Sequence, residues 1–359
     1  MRAGGGREAG TGATGPDVAG RERDVAHRDA TEVAPPASRP RPAPAPRLRS
    51  TPPPSPPRPP PTPGRHDPRN RLNDLTGKEW LYFLSSVLTT AYPVKGPESY
   101  GHNLRRAHPS PKPPQLMAAL IAFFTRAGGR VLDPFAGVGG TLLGCALTGR
   151  AGVGLDLATD YRDIYRAVCA QEGLDAQPFL LGDARVLLAG AASDGPLAAP
   201  FDLVLTDPPY GEMLSRPQDG EKRKRTGRSD PTPFTDDPAD LGNLPRADFL
   251  VALAAIVGLA VARLRPGGHL VLFAKDLQPT PEHHNLLHAD IVARFAAELP
   301  GLRFRGYKLW VDQTINLYPF GYPYGFVANQ VHQYILIWQA ATSPGAREEA
   351  GEGTSGAGG

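Results

Sequence analysis

Cysteine is nearly absent from this chain, with two in 359 residues. Cys145 and Cys169 lie far apart in sequence, so they suit neither a zinc cluster nor a disulfide framework. Both read as small core residues. Long apolar runs are missing as well. None approaches the roughly 18 residues of a membrane span, and no short apolar stretch near the first methionine forms the core of a signal peptide. A cytoplasmic protein is the expectation. Charge of one sign is also lacking: Lys and Arg number 39 against 36 Asp and Glu, a net +3. The chain as a whole is therefore not an obvious polyanion binder.

The first seventy or so residues have no Phe, Tyr or Trp and few β-branched side chains, too few to bury a core. Fifteen prolines crowd between Pro35 and Pro63, which favours an extended tether. Arginines recur there, but Asp17, Glu22, Asp24, Asp29 and Glu32 interrupt them, a poor match to a transit peptide. Residues 1–71 are read as a disordered Arg/Pro-rich tail, either inert or a weak nucleic-acid tether. Residues 72–340 are read as one domain, and the Gly, Ala and Glu of residues 341–359 as a second disordered tail.

Within that domain the organising stretch runs from Val131 to Thr141. An apolar strand, Arg130 to Asp133, breaks into a turn holding Gly137, Gly139 and Gly140, and a helix follows. Glycines there let a backbone pass close to a ligand, although many α/β proteins carry such a turn for packing alone. A second short strand ends at Asp156, about twenty residues past the glycines. A carboxylate there can accept hydrogen bonds from both hydroxyls of a ribose.

Strands and helices then alternate. Helices are expected over Thr159 to Gln171, Arg246 to Leu264 and His283 to Leu299. Strands are expected over Pro178 to Leu181 and His269 to Ala274, with a final antiparallel hairpin of Arg303 to Trp310 and Val331 to Trp338. Ahead of the glycine turn, a helical pattern runs through Leu88, with Asp74 or Thr76 as its cap. A proline-rich segment, His108 to Leu116, enters a further helix. The alternation predicts a sheet with helices on both faces.

A later buried strand, Phe201 to Thr206, ends in Asp207-Pro208-Pro209-Tyr210. Together with Asp133-Pro134-Phe135-Ala136-Gly137-Val138-Gly139, this motif resembles the amino-methyltransferases that use S-adenosylmethionine (SAM). Above all it resembles the DNA N6-adenine and N4-cytosine enzymes. The resemblance spans about Asn73 to Gln339. It implies the Rossmann-like SAM-methyltransferase fold, a mixed and mostly parallel seven-stranded sheet. It implies SAM as cofactor, bound by Asp133, Pro134, Phe135, Gly137, Gly139, Asp156 and Asp183. It implies a catalytic set of Asp207, Pro208, Pro209 and Tyr210, with no metal.

In that chemistry Asp207 and the Pro208 carbonyl accept the N–H groups of an exocyclic amine. The paired prolines fix the backbone, and Tyr210 offers a face to an extruded base. Asp183 would meet the adenine amine through the resemblance, while its position also suits a helix N-cap; the two are compatible. The His-Pro segment would border the methionine end of SAM, against a plain loop. Phe135 is a pocket wall or a core residue. Lys275 is read as a solvated strand end rather than a substrate contact. The basic run Lys222-Arg223-Lys224-Arg225 with Arg228 is either a solvated loop or a phosphate contact. Aromatics between Thr314 and Asn329 offer stacking faces. The partner expected is nucleic acid, DNA first. RNA, modified at guanine N2, is the alternative, because those enzymes share an Asp-Pro-Pro-Tyr-Gly run like Asp207 to Gly211. A SAM-fold binding protein without catalysis is the reading from another class.

Overall fold

The computed structural model describes residues 67–190, 194–198, 200–211, 233–279, 284–317, 319 and 322–342. Most of both expected tails, the basic run from Lys222 to Arg228, and Tyr318 and Phe320 lie outside these residues.

Eight strands build one sheet: β1 (Val87–Thr90), β2 (Arg130–Asp133), β3 (Ala151–Asp156), β4 (Phe179–Leu181), β5 (Phe201–Thr206), β6 (Leu264–Ala274), β7 (Leu302–Asp312) and β8 (His332–Ala340). Their order is β1-β7-β8-β6-β5-β2-β3-β4. Only β8 runs antiparallel to its neighbours, β6 and β7. This is the mixed, mostly parallel sheet that the sequence implied, with eight strands in place of seven.

The eighth strand is β1, in a stretch whose apolar pattern reads as helix. The helix there, α1 (Gly77–Phe83), starts with a capping box between Thr76 and Glu79 and stops at Leu84. The Ser85 hydroxyl then donates to the Val87 carbonyl at 2.8 Å, offering the backbone an alternative to another helical turn. Val87 to Thr90 pair in parallel with β7 instead, and Trp310 Nε1 donates to Thr90 Oγ1 at 2.8 Å.

The central strands are apolar on both faces because both are covered. Leu132, Val204, Leu270 and Leu272 pack into the layer of α6 (Ala184–Ala189), α7 (Arg246–Val261) and α8 (Leu287–Glu298). Val131, Leu203, Leu205, Val271 and Phe273 face α3 (Pro114–Phe124) on the other side. A third cluster joins α4 (Gly140–Thr148) to α5 (Thr159–Glu172) through Leu142, Leu143, Tyr165 and Val168. Cys145 and Cys169 are buried and unpaired in these clusters, the small core residues expected.

The strand order places the site. From β2 the chain winds outward through β3 and β4, then returns to add β5 on the other side. A crevice opens where the winding reverses, beyond the carboxyl ends of β2 and β5. Asp133 ends the first of these strands and Asp207 follows the second.

Candidate active site

The cofactor half is built on the turn between β2 and α4. Gly137 and Gly139 have φ of 50° and 77°, left-handed values that suit glycine. A Cβ on Gly139 would collide with the Tyr165 ring, and one on Gly137 would come within 3.2 Å of His108 Nε2. These two glycines answer first to protein neighbours. Asp133, 2% exposed, works from behind the turn. Its Oδ1 accepts from Phe135 N at 3.0 Å and Thr206 Oγ1 at 2.7 Å, and its Oδ2 from Thr141 Oγ1 at 2.5 Å. That carboxylate ties β2, the turn, α4 and β5 together. Burial raises its pKa to about 6 against the lowering effect of those donors.

Asp156 ends β3. Its Oδ2 accepts from Gly137 N at 2.7 Å and its Oδ1 from Ala158 N at 2.9 Å. Each oxygen keeps a lone pair for a ligand hydroxyl. Burial raises this pKa to about 6 as well. Asp183 caps α6 through Arg185 N at 2.8 Å and grips the Arg185 guanidinium. Against a burial penalty, those bonds hold its carboxyl below the usual range.

The chemical half follows β5. The Tyr210 hydroxyl donates to Asp207 Oδ1 at 2.6 Å. The Lys112 ammonium, from the proline-rich segment, pairs with Asp207 Oδ2. Lys112 also lies 5.1 Å from the centre of the Phe273 ring. Burial, with the Asp207 charge, pushes the Tyr210 phenol well above its ordinary pKa, so it remains a donor. Lys112 is a site residue the sequence did not single out, since its partner is 95 positions away.

One cavity of about 480 Å³ joins the two halves. Its walls include Pro134, Phe135, Gly137, Asp156, Asp183 and the run Asp207 to Tyr210. Of the expected site residues, Asp133 and Gly139 do not line it. Phe135 also packs on the core, so its two readings hold together. His108 lies between Tyr161 and Phe234, at ring distances of 4.8 and 5.0 Å. Burial, then Lys112 and Arg105, bring its pKa down to about 3, so it stands neutral at the cavity edge. Lys275, read as solvated, instead turns into the cavity, and burial followed by Lys112 lowers its pKa. A small recess beside Gly137, Gly140, Thr141, Lys112 and Asp207 continues the cavity behind the turn.

Residues 70–167 match the DNA methylase family. The matched methylase segment carries the glycine turn and Asp156 and ends before Asp207. A stretch of 116 residues is 28% identical to the tRNA (guanine(10)-N2)-dimethyltransferase of Pyrococcus abyssi, covering 32% of this chain and 33% of that protein. Another of 119 residues is 36% identical to the enzyme of the same name from Methanothermobacter thermautotrophicus, covering 33% and 32%. The chain thus spans about a third of the length of the curated relatives it matches. Among solved structures, TrmN from Thermus thermophilus superposes with a TM-score of 0.39 at 21% identity, over 63% of this chain and 48% of that one.

The donor set fits S-adenosylmethionine. Asp156 offers acceptors to a ribose, and Asp207 lines both the same cavity and the small recess behind the glycine turn. With the methylase match, S-adenosylmethionine is the cofactor of this site. Among the described residues, no cluster of His, Cys, Asp or Glu could hold a metal ion, and no helix is long and apolar enough to cross a membrane.

Proposed function

We propose that this chain transfers a methyl group from SAM to an exocyclic amino group of a nucleobase within a nucleic acid. The observation that carries the reading is Asp207. Its carboxylate is held at both oxygens, by Lys112 and by Tyr210, on the wall of the cavity that Asp156 and Gly137 also line.

SAM supplies an electrophilic methyl when bound. An exocyclic amine is a weak nucleophile because its lone pair is delocalised into the ring. A carboxylate has about four acceptor directions, and Lys112 and Tyr210 take one on each oxygen. The remaining directions of Asp207, with the Pro208 carbonyl, accept the amine N–H groups. Holding both protons draws the nitrogen lone pair out of conjugation. Asp207 also receives the proton that the nitrogen sheds once it is alkylated. Because Lys112 and Tyr210 fix the carboxylate from two sides, little reorientation is left to the reacting step, and positioning of this kind supplies much of the acceleration. Pro208 and Pro209 stiffen the backbone that carries the accepting carbonyl. Tyr210 and Phe135 wall the space where a base would lie.

DNA is the first substrate, supported by the methylase match over residues 70–167. The second reading is guanine N2 in RNA. It is favoured by the similarity to two tRNA enzymes and by the run Asp207 to Gly211. Incubation with methyl-labelled SAM and DNA, tRNA or neither, followed by nucleoside analysis, tests both. Label on a base amine supports the proposal and its polymer identifies the substrate. Label on a ring carbon or a ribose refutes it.

A further inference from the structure

Arg105 ends the short helix α2 (His102–Arg105) and is 1% exposed. Its Nη2 donates to the Lys112 carbonyl, while its Nε is buried with no partner. Burial lowers its pKa only to about 10, so it is a cation at neutral pH. Among the described residues no carboxylate forms an ion pair with it. A buried charge left in that state is costly unless an anion meets it.

Arg105 lines a second cavity, of about 290 Å³, together with Lys112, Lys275 and Gln333. Lys112 is matched by Asp207. Lys275 has no carboxylate partner among the described residues, and Gln333 Oε1 is buried without a hydrogen bond. Ser110, Lys275 and Gln333 line the catalytic cavity too, so the two spaces adjoin. Gly137, Asp156 and Asp183 line the catalytic cavity and not the second, whereas Ser110, Pro111 and Lys112 line both the second cavity and the recess behind the turn. Arg105 and Lys275 therefore line a space that Asp156 and Asp183, at the ribose end, do not. One carboxylate, Asp312, also lines the second cavity, and its Oδ1 accepts from Thr314 N and Oγ1 at 2.9 and 2.7 Å.

We infer that the second cavity is an anion subsite that takes a phosphate of the substrate strand beside the target nucleotide, with Arg105 as its main donor. This rests on the nucleic-acid reading above. A guanidinium edge presents paired N–H groups that match phosphate oxygens. Phosphate contacts fix register without reading sequence. A phosphate anchored here would set how far the target base reaches toward Asp207. Lys275 adds charge, and Gln333 adds an acceptor at the junction between phosphate and base.

The test measures binding of fluorescein-labelled single-stranded and duplex DNA, and of tRNA, to the full chain across a range of KCl concentrations. Arg105→Met keeps the side-chain volume and removes the fork. Affinity should fall roughly tenfold or more, and the log–log salt slope should shrink by about 0.7–0.9. SAM affinity by calorimetry should stay at the wild-type value, and Arg105→Lys should recover part of the slope. Wild-type slope and affinity in Arg105→Met would overturn the subsite. So would a loss of SAM affinity with nucleic-acid binding intact, since the anion would then be the carboxylate of the cofactor. If Arg105→Met does not fold, Lys275→Met takes its place, with a reduced slope expected and an unchanged slope overturning the inference. A wild-type chain that binds none of the three probes refutes the nucleic-acid reading and the subsite together. Normal wild-type binding with unchanged variants refutes the subsite alone.

Discussion

Tyr210→Phe removes a single oxygen and leaves the ring in place. In the wild type that oxygen carries the donor to Asp207 Oδ1, at 2.6 Å. The phenol keeps its proton across the neutral range, because burial and the neighbouring carboxylate both raise its pKa. A hydrogen bond to a charged group contributes about 1.5–3 kcal/mol net. If that is felt in the orientation of Asp207 as the methyl moves, the single-turnover rate falls by roughly 10- to 150-fold. Tyr210→Ala also removes a stacking face, a further 1–3 kcal/mol or so per base. The expected order is wild type, then Phe, then Ala, with SAM affinity alike in all three. The sequence suggested stacking alone, under which Phe would retain most activity; the bond to Asp207 changes that ordering. The assay is single-turnover methylation with saturating SAM. A Phe variant as fast as wild type would refute the anchoring role of the hydroxyl. Equal rates for Phe and Ala would show that the ring face contributes nothing.

Lys112→Met should lower both stability and turnover. The side chains of the pair are 5% and 16% exposed, and stranding one partner of a buried pair costs up to about 3–5 kcal/mol. A thermal midpoint roughly 10 °C lower is expected, and adding Asp207→Ala should destabilise further by less than its own single effect; an unchanged midpoint would mean that the pair does not form. The Asp156 carboxyl, with a pKa of about 6, sets a pH dependence for the cofactor. Its ionised form is the better acceptor, so SAM affinity measured by calorimetry should fall as pH drops from 7 to 5. Unfolding from this group would not mimic the fall, because a carboxyl whose pKa is raised in the fold stabilises the fold as it takes up its proton. Asp156→Asn should bind SAM weakly and with little pH dependence; a remaining step near pH 6 would report Asp133, which titrates in the same range.

What the sequence made legible was local. β2, β3 and β5 are short apolar runs that each lead into an acidic residue, and the runs and their ends stand out without a structure. The capping role of Asp183 and the burial of the cysteines follow from neighbouring residues. What escaped depends on segments meeting across the sheet. Lys112 reaches Asp207 only because β5 lies beside β2 and the proline-rich segment runs past both. Asp133 lines the recess behind the turn, and its oxygens are bonded by Thr141 and Thr206, the latter 73 positions away. Lys275 follows a strand end that would be solvated in an open sheet, but here it faces two adjoining cavities. β1 was hidden by an apolar pattern that Ser85 interrupts.

The central claim is that Asp207 orients an exocyclic amine for methyl transfer. The direct measurement is single-turnover transfer from labelled SAM to the nucleic acid that accepts it, for the wild type and Asp207→Ala, with SAM affinity measured in parallel. The account expects label on a base amine in the wild type, and transfer abolished in Asp207→Ala while SAM still binds. Full transfer by Asp207→Ala would contradict it.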